Sequence, residues 1–522
     1  MQPSRRNPRR QTLGTSPSLH VNKKNRSPIK ANQSVVKLGI REIFKITRIQ
    51  KKYDRKTGVF RINIAYKTKT DVTDRTIKVA EAFGIGVDNF QEHVIYDNVE
   101  LKIAPNDVVY ITGDSGSGKS VLLKALEKDL QPETVNLNNV KIEPAKPLID
   151  TAGGNFNQGL TLLSRVGLND AFLFVRRYSQ LSDGQKYRYR LAKMIESDKK
   201  YWFADEFCST LDRDTAKIVA FNIQKIAREE GRAVFAATTH TDLFEDLKPS
   251  IHIHKRFGRE IKVNYYPNNI NRECSIVKEM RIEKGTRADY KKLAHFHYRD
   301  SRLFAHHKIF TMKRNDETVG AIVYGSPPLA VTGRRKALGK NLTIQEINRD
   351  IIRISRVVIH PKYRTIGLGA KIVTETLPLA GKPYVETIAV MAKYNPFFEK
   401  AGMTKIAETT PNPQVLKIVE NLRAFNFDPV FLTSERTNMN KLQNMTEKEV
   451  DKVKMLLKKV SGIYRKRIAG ARQAFLNKEE YEAIVDAADI EKLAKMLRIL
   501  GFLTQTKVYL FWKRKLKNEK LP

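Results

Sequence analysis

Cysteine is nearly missing from this chain: Cys208 and Cys274 are the only two in 522 residues. Without a Cys-x-x-Cys pair or any zinc-spaced set, a disulfide framework and structural zinc are excluded, and a reducing, cytoplasmic compartment is expected. Long apolar runs are missing too. No segment approaches the eighteen residues of a membrane helix, which argues against a transporter carrying its own channel. Acidic residues are scarce, with 56 Asp and Glu against 95 Lys and Arg, so the formal charge is +39. A surplus of that size points to a polyanionic partner, nucleic acid first, because each phosphate neutralised by Lys or Arg releases counterions.

The length allows two to four domains, and 41% hydrophobic residues is ordinary for a soluble protein. Residues 1–34 read as a disordered basic arm: the first forty positions hold nine Lys or Arg and no acid. That stretch has neither the apolar core of a secretory signal nor the apolar face of a transit peptide. Residues 35–81 read as a strand-rich extension.

The sharpest motif is GDSGSGKS, made of Gly113, Asp114, Ser115, Gly116, Ser117, Gly118, Lys119 and Ser120. It follows the apolar run from Val108 and precedes the helix-like VLLKALEKDL. This spacing turns successive N–H groups and a helix N-terminus toward a triphosphate, with Lys119 on the outer phosphates and Ser120 on magnesium. Downstream, YWFA leads into Asp205 and Glu206, a metal ligand and a base for an attacking water. LSDGQ at Leu181–Gln185, the run Ser209–Asp212 and His240 after AVFAAT complete the order.

Together these landmarks resemble the ATP-binding cassette superfamily over about 82–266. The resemblance implies a P-loop α/β ATPase using ATP and Mg2+ in a head-to-tail homodimer. Ser182, Gly184 and Gln185 would then face the partner's nucleotide, and His240 would sense its γ-phosphate. Phe83, Phe90 and Tyr96 compete to stack on adenine. The glutamine normally found between phosphate loop and LSDGQ is left open between Gln158 and Asp150, the latter after an expected strand KPLI. No heptad run occurs, unlike ATPases with long coiled-coil arms.

Past a connector at 267–289, a second domain is expected at 290–410. Its centre is a strand, RISRVVI, closed by His360 and Pro361, then a glycine turn opening a helix. VMAKYNPFFEKAGM follows. This pairing resembles the GNAT acyltransferases, an α+β fold using acetyl-CoA. By that resemblance Val357, Val358 and Ile359 would flank the acyl group through backbone atoms. Arg364, Thr365, Ile366, Gly367, Leu368, Gly369 and Ala370 would hold the pyrophosphate, and Asn395 would touch the cofactor. Phe398 stands where many members have a tyrosine acid, leaving Tyr394 or a water. Glu346 and Asp350, before the strand, are the candidate bases. HYR at 297–299, GAIVYGSPP at 320–328 and SRVVIHP are also remotely similar to Mom, the phage DNA-modifying proteins. Residues 411–522 read as a basic, mainly helical module ended by the strand-like KVYLFWKRK. The four histidines within 293–307 form no convincing ligand set. The whole is expected to be an α/β multidomain ATPase–acetyltransferase fusion modifying DNA or RNA; the alternatives are acetylation of a protein bound to nucleic acid, or a DNA-repair-like ATPase with a non-catalytic acyl-CoA-binding module.

Overall fold

The computed structural model describes residues 44–514 except 69–71, 86–91, 268, 271, 297–302, 304–305, 330, 332, 391, 393–394, 430 and 472–475. The basic arm, Phe90, the HYR motif and Tyr394 therefore lie outside the described residues. The chain divides into two compact units. Within the first, Met1–Thr47 with Tyr66–Glu92, the described residues include a helix, Asp74–Phe83, capped by Thr73 and by a left-handed Gly84. The second unit, Arg48–Ala65 with His93–Pro522, carries both expected domains.

Strands β1 (Phe44–Asp54), β2 (Val59–Thr68) and β3 (Glu92–Lys102) form a three-stranded sheet in that order. The ATPase sheet contains β4 (Val108–Gly113), β5 (Thr134–Asn136), β6 (Tyr201–Ala204), β7 (Ala233–Ala237), β8 (Ile251–Lys255) and β9 (Ile261–Tyr265). Their order is β5-β6-β7-β4-β8-β9, parallel except for the β8–β9 hairpin. Such strands are covered on both faces and read as unbroken apolar runs; β4 and β7 are buried along their whole length.

The second sheet uses β10 (Met280–Lys284), β11 (His306–Arg314), β12 (Glu317–Gly325), β13 (Ile351–Ile359), β14 (Tyr384–Ala389), β15 (Thr404–Thr409) and β16 (Lys507–Lys513). Its order is β10-β11-β12-β13-β14-β16-β15, with one parallel pair, β13–β14. The sheet thus runs past both boundaries read from the sequence, 290 and 410. KVYLFWK is an interior strand between β14 and β15, and the helices from Pro413 to Leu503 form their own apolar core inside the chain path of the sheet. Val508 and Leu510 alternate into the core of the second domain, so one face of the strand is covered there.

One helix, Arg213–Glu230, joins the two domains. Asp212 caps it and Gly231, in the left-handed region, ends it. Val219, Ala220, Ile223 and Ala227 pack in the ATPase core, whereas Ile218 and Phe221 pack in the core beneath the second sheet. From residue 218 to 224 the helix is buried without a break, Asn222 and Gln224 included, as a helix packed on two sides must be. The only two tryptophans report one core each, Trp202 in the ATPase and Trp512 against the second. We expect Trp202→Phe and Trp512→Phe proteins to unfold at coincident midpoints. Phe221→Ala, at about 3–5 kcal/mol for an aromatic deleted from a core, should lower both midpoints together; separate shifts in denaturant titrations would show independent domains.

Candidate functional site

The phosphate loop leaves the centre of its sheet at the end of β4. Gly113 sits at φ +143°, and a Cβ there would lie 1.9 Å from the Lys255 carbonyl oxygen. Gly118, at φ +102°, would meet Ile95 at 2.6 Å. Only glycine fits either position. Lys119 opens the helix Lys119–Leu130 and its Nζ donates to the carbonyls of Gly113 (2.9 Å) and Asp114 (2.6 Å). Burial pulls its pKa down, while Asp205, Asp114 and Glu206 pull it back up. Ser117 Oγ is buried and has no hydrogen-bond partner. An orphan hydroxyl inside a cradle of backbone donors is what a phosphate oxygen would satisfy.

Ser120 Oγ donates to Asp205 Oδ1 at 3.0 Å, bringing the expected metal ligands together. Glu206 follows, exposed and at φ +50°, its N–H donating to Asp205 Oδ1 at 3.1 Å. Strand β7 lies between β4 and β6, so its end carries Thr238 and His240 between phosphate loop and carboxylates. The Tyr110 hydroxyl donates to the His240 carbonyl, fixing that turn.

Ser182 caps the helix Asp183–Glu196 and is exposed with the helix start. Gln185 serves the cap itself, accepting the Ser182 N–H at 3.1 Å. The segment KPLI is not a strand: Leu148–Thr151 is a short helix, entered through a bridge between Pro147 and Arg177, and leaves Asp150 exposed. Thr151 Oγ1 donates back to the carbonyls of Pro147 and Leu148, closing the turn. Gln158 is also exposed, its Oε1 accepting the Gly154 N–H at 3.1 Å.

Tyr96 is fully buried and its hydroxyl donates to the Gly118 carbonyl at 2.9 Å, so it props the phosphate loop and has no face for a base. Phe83 belongs to the first unit. The exposed aromatic beside the loop is one the sequence did not suggest, Phe257, 66% exposed, with ring carbons 3.7 Å from where a Cβ on Gly116 would lie. Buried Lys255 holds its turn, donating to the carbonyls of Arg256 (2.6 Å) and Gly258 (2.5 Å).

The second domain docks on the start of the long helix. Lys362 Nζ lies 2.9 Å from both Asp212 and Asp214, and Arg314 Nη1 lies 2.7 Å from Asp214. Burial alone would raise both aspartates, but hydrogen bonds to Thr215 and Lys362 at Asp212, and to Arg314 and Lys362 at Asp214, hold them below the ordinary value. This contact is therefore complete at neutral pH and fades only as pH falls below about 4.

Strands β13 and β14 pair only from Ile351–Tyr384 to Arg353–Glu386 and then diverge. Between them opens a cavity of about 1330 Å³ lined by Val357, Val358, Ile359, the Arg364–Ala370 turn and Asn395. ATPase residues form the facing wall, among them Phe172, Phe174, Phe221 and Asn222. Gly367, at φ +89°, caps the helix Leu368–Thr376, and nothing lies within 4 Å of the Cβ it lacks. Asn222 Nδ2 donates to Thr365 Oγ1 at 2.7 Å. Arg364 is spent on anchoring: Nε donates to the Ile359 carbonyl (2.9 Å) and Nη1 to that of Asn169 (3.0 Å). Phe398 is buried in the core against Phe397.

Both expected base carboxylates stand outside the cavity lining. Glu346 closes a capping box, accepting the Thr343 N–H at 2.8 Å, and these bonds hold its pKa low. Asp350 is paired with Arg349 at 2.8 Å, which lowers it too. The cavity wall instead includes His295, its ring tilted against that of Phe296 with centroids 3.8 Å apart.

The strand order, loop and carboxylates define a phosphate-loop nucleotide-binding domain. Residues 96–163 match the family model described as ABC transporter. The methionine import ATP-binding protein of Clostridium tetani is 26% identical over 30% of this chain and 61% of its own length. The ribosome protection protein VmlR of Bacillus subtilis is 26% identical over 28% and 26%. The lipoprotein-releasing system ATP-binding protein of Leptospira interrogans is 27% identical over 31% and 84%. The chain thus spans less than two thirds of the first two relatives. The post-hydrolysis dimer of the ATP-binding cassette MJ0796, bound to ADP and Pi, is 18% identical with a TM-score of 0.29, over 34% of this chain and 92% of that one. This chain carries an ATP-binding cassette ATPase domain. Among the described residues no helix is long and apolar enough to cross a membrane.

We expect Phe257→Ala to raise KM for ATP about tenfold with kcat little changed, the loss of a stacked ring costing about 1–3 kcal/mol. Steady-state kinetics decide it, and an unchanged KM would leave Phe257 without a role in base binding.

Proposed function

We propose that this protein is an ATP-hydrolysing cassette enzyme that closes as a head-to-tail homodimer and transfers an acetyl group from acetyl-CoA to an amine on nucleic acid. The observation that carries the ATPase half is the Ser120–Asp205 contact with Glu206 beside it. ATP with Mg2+ would supply the phosphoanhydride. The loop's N–H groups, Ser117 and Lys119 would hold the phosphates, Ser120 and Asp205 the metal, and Glu206 would polarise the water. The start of the helix, with Ser182 exposed and Gly184 half-buried, suits a nucleotide held by a second copy.

The observation that carries the transfer half is the separation of β13 from β14 above an open glycine turn. Beyond Arg353, β13 bonds β12 on one edge and turns its other edge to the cavity. Acetyl-CoA would supply the thioester, with its pyrophosphate at the N-terminus of Leu368–Thr376 and its acyl group along Val357–Ile359. His295, which lines the cavity where Glu346 and Asp350 do not, would take the proton of the attacking amine. The +39 charge supports a nucleic-acid acceptor in a reducing, cytoplasmic setting.

Glu206→Gln should retain ATP binding, accumulate as a dimer in ATP and magnesium, and lose hydrolysis about a hundredfold or more. Size-exclusion chromatography with a phosphate-release assay reads both, and a monomeric variant with ordinary turnover contradicts the assignment. Gly367→Val, forced into a left-handed backbone at the open turn, should abolish acetyl-CoA binding in calorimetry and leave ATPase turnover unchanged. Wild-type protein that fails to bind acetyl-CoA at millimolar concentration overturns the transfer reading.

A further inference from the structure

Strand β13 carries one residue more than its partner. Val323 faces Arg356 and Tyr324 faces Ile354, leaving Ser355 as the extra residue, its hydroxyl donating to the Val323 carbonyl at 3.0 Å. Without it, residues 353 and 356 would point to opposite faces of the sheet. The bulge puts them on the same face. The packing agrees: Ile352, Ile354 and Ile359 enter one core and Val358 the other, so alternation inverts once between 354 and 358.

The result is two half-buried arginines on one face of β13. Arg353 Nε and Arg356 Nε are both buried without a hydrogen-bond partner. Among the described residues neither arginine has an ion pair. Arg356 Nη1 donates only to the neighbouring Ser355 carbonyl, at 2.8 Å. Burial first, and then the charge of Arg356, pull the pKa of Arg353 down. The acid opposite, Glu386, is already spent: it is wholly buried, bound by Arg334 at 2.7 Å and by the Tyr509 hydroxyl at 2.8 Å. Desolvating two like charges with orphan donors is costly unless an anion completes them. Arg356 lines the cavity where the strands part, on the wall shared with Ser355, Val357 and Val358.

We propose that Arg353 and Arg356 form an anion site on the acceptor side of this cavity, built to hold a backbone phosphate of the nucleic acid whose amine is acylated. This rests on the acyl-transfer reading. It adds the acceptor's handle: a phosphate held by a planar, two-guanidinium fork beside the open edge of β13. The same fork explains why two cations stand where the strands part, since ordering the acceptor there fixes its amine before reaction.

The test is arginine-selective modification of the full-length protein with phenylglyoxal, mapped by mass spectrometry, with ADP and magnesium present to occupy the phosphate loop. Arg353 and Arg356 should react in free protein. A short single-stranded oligonucleotide should protect both at least tenfold, and its uncharged methylphosphonate analogue should not. Equal protection by the two, or none by the oligonucleotide, overturns the proposal. Protection by acetate but not by inorganic phosphate overturns it in favour of a carboxylate acceptor. As a second measurement, Arg353→Gln with Arg356→Gln should reduce the log–log salt slope of oligonucleotide binding by about 0.7, for the one phosphate the pair neutralises; an unchanged slope in a variant with a wild-type melting curve counts against it. Calorimetry with acetyl-CoA on the same sample keeps the two failures apart. A protein that binds acetyl-CoA but shows no protection loses only the anion site, whereas one that binds no acetyl-CoA loses the acyl-transfer reading.

Discussion

The burial of the helix Arg213–Glu230 on two sides at once is the constraint on which the rest depends. Most soluble helices bury one stripe and solvate the other. Here Val219 and Ile223 belong to the ATPase core, and Ile218 and Phe221 to the core under the second sheet. Its first turn bears Asp212, which ends the Ser209–Asp212 run after Asp205 and Glu206, and Asp214; Lys362 holds both. Its middle bears Asn222, bonded to the glycine turn. A rigid element fixed at both places cannot shift for one domain alone, because close-packed cores deform in steps and not continuously.

Charge is deployed along the same line. The cations Lys362 and Arg314 are neutralised by Asp212 and Asp214, and Arg364 is held by hydrogen bonds to carbonyls, so these three serve the fold. Among the described residues Arg353 and Arg356 have no such carboxylate. A chain with 95 basic residues has many to spare on its surface; what separates this pair is that burial makes leaving it unpaired expensive.

How much of this was legible in the sequence depended on whether the chemistry was local. The phosphate loop was, because a backbone cradle needs glycine at set positions and a Lys-Ser pair at the helix start. Glu346 was misread although its true role was also local: Thr343-x-x-Glu346 is the pattern of a helix cap, and a carboxylate bonded to its own helix start is a poor base. Phe257 was missed because an exposed phenylalanine in a hairpin turn carries no signal until Lys255 and Gly116 are seen around it. The place of β16 between β14 and β15 was equally hidden, since about ninety residues of helix separate it from its partners and alternation tells a face but not a neighbour. The arginine pair required the bulge at Ser355, which no period-two reading of RISRVVI supplies.

The central claim is that the ATPase and the second domain share one mechanical element. The direct measurement is the affinity of acetyl-CoA for the Glu206→Gln protein with and without saturating ATP and magnesium, by calorimetry. The two dissociation constants should differ by about fivefold or more, the range of an ordinary coupling free energy. Equal affinities in a protein that binds both ligands would contradict it.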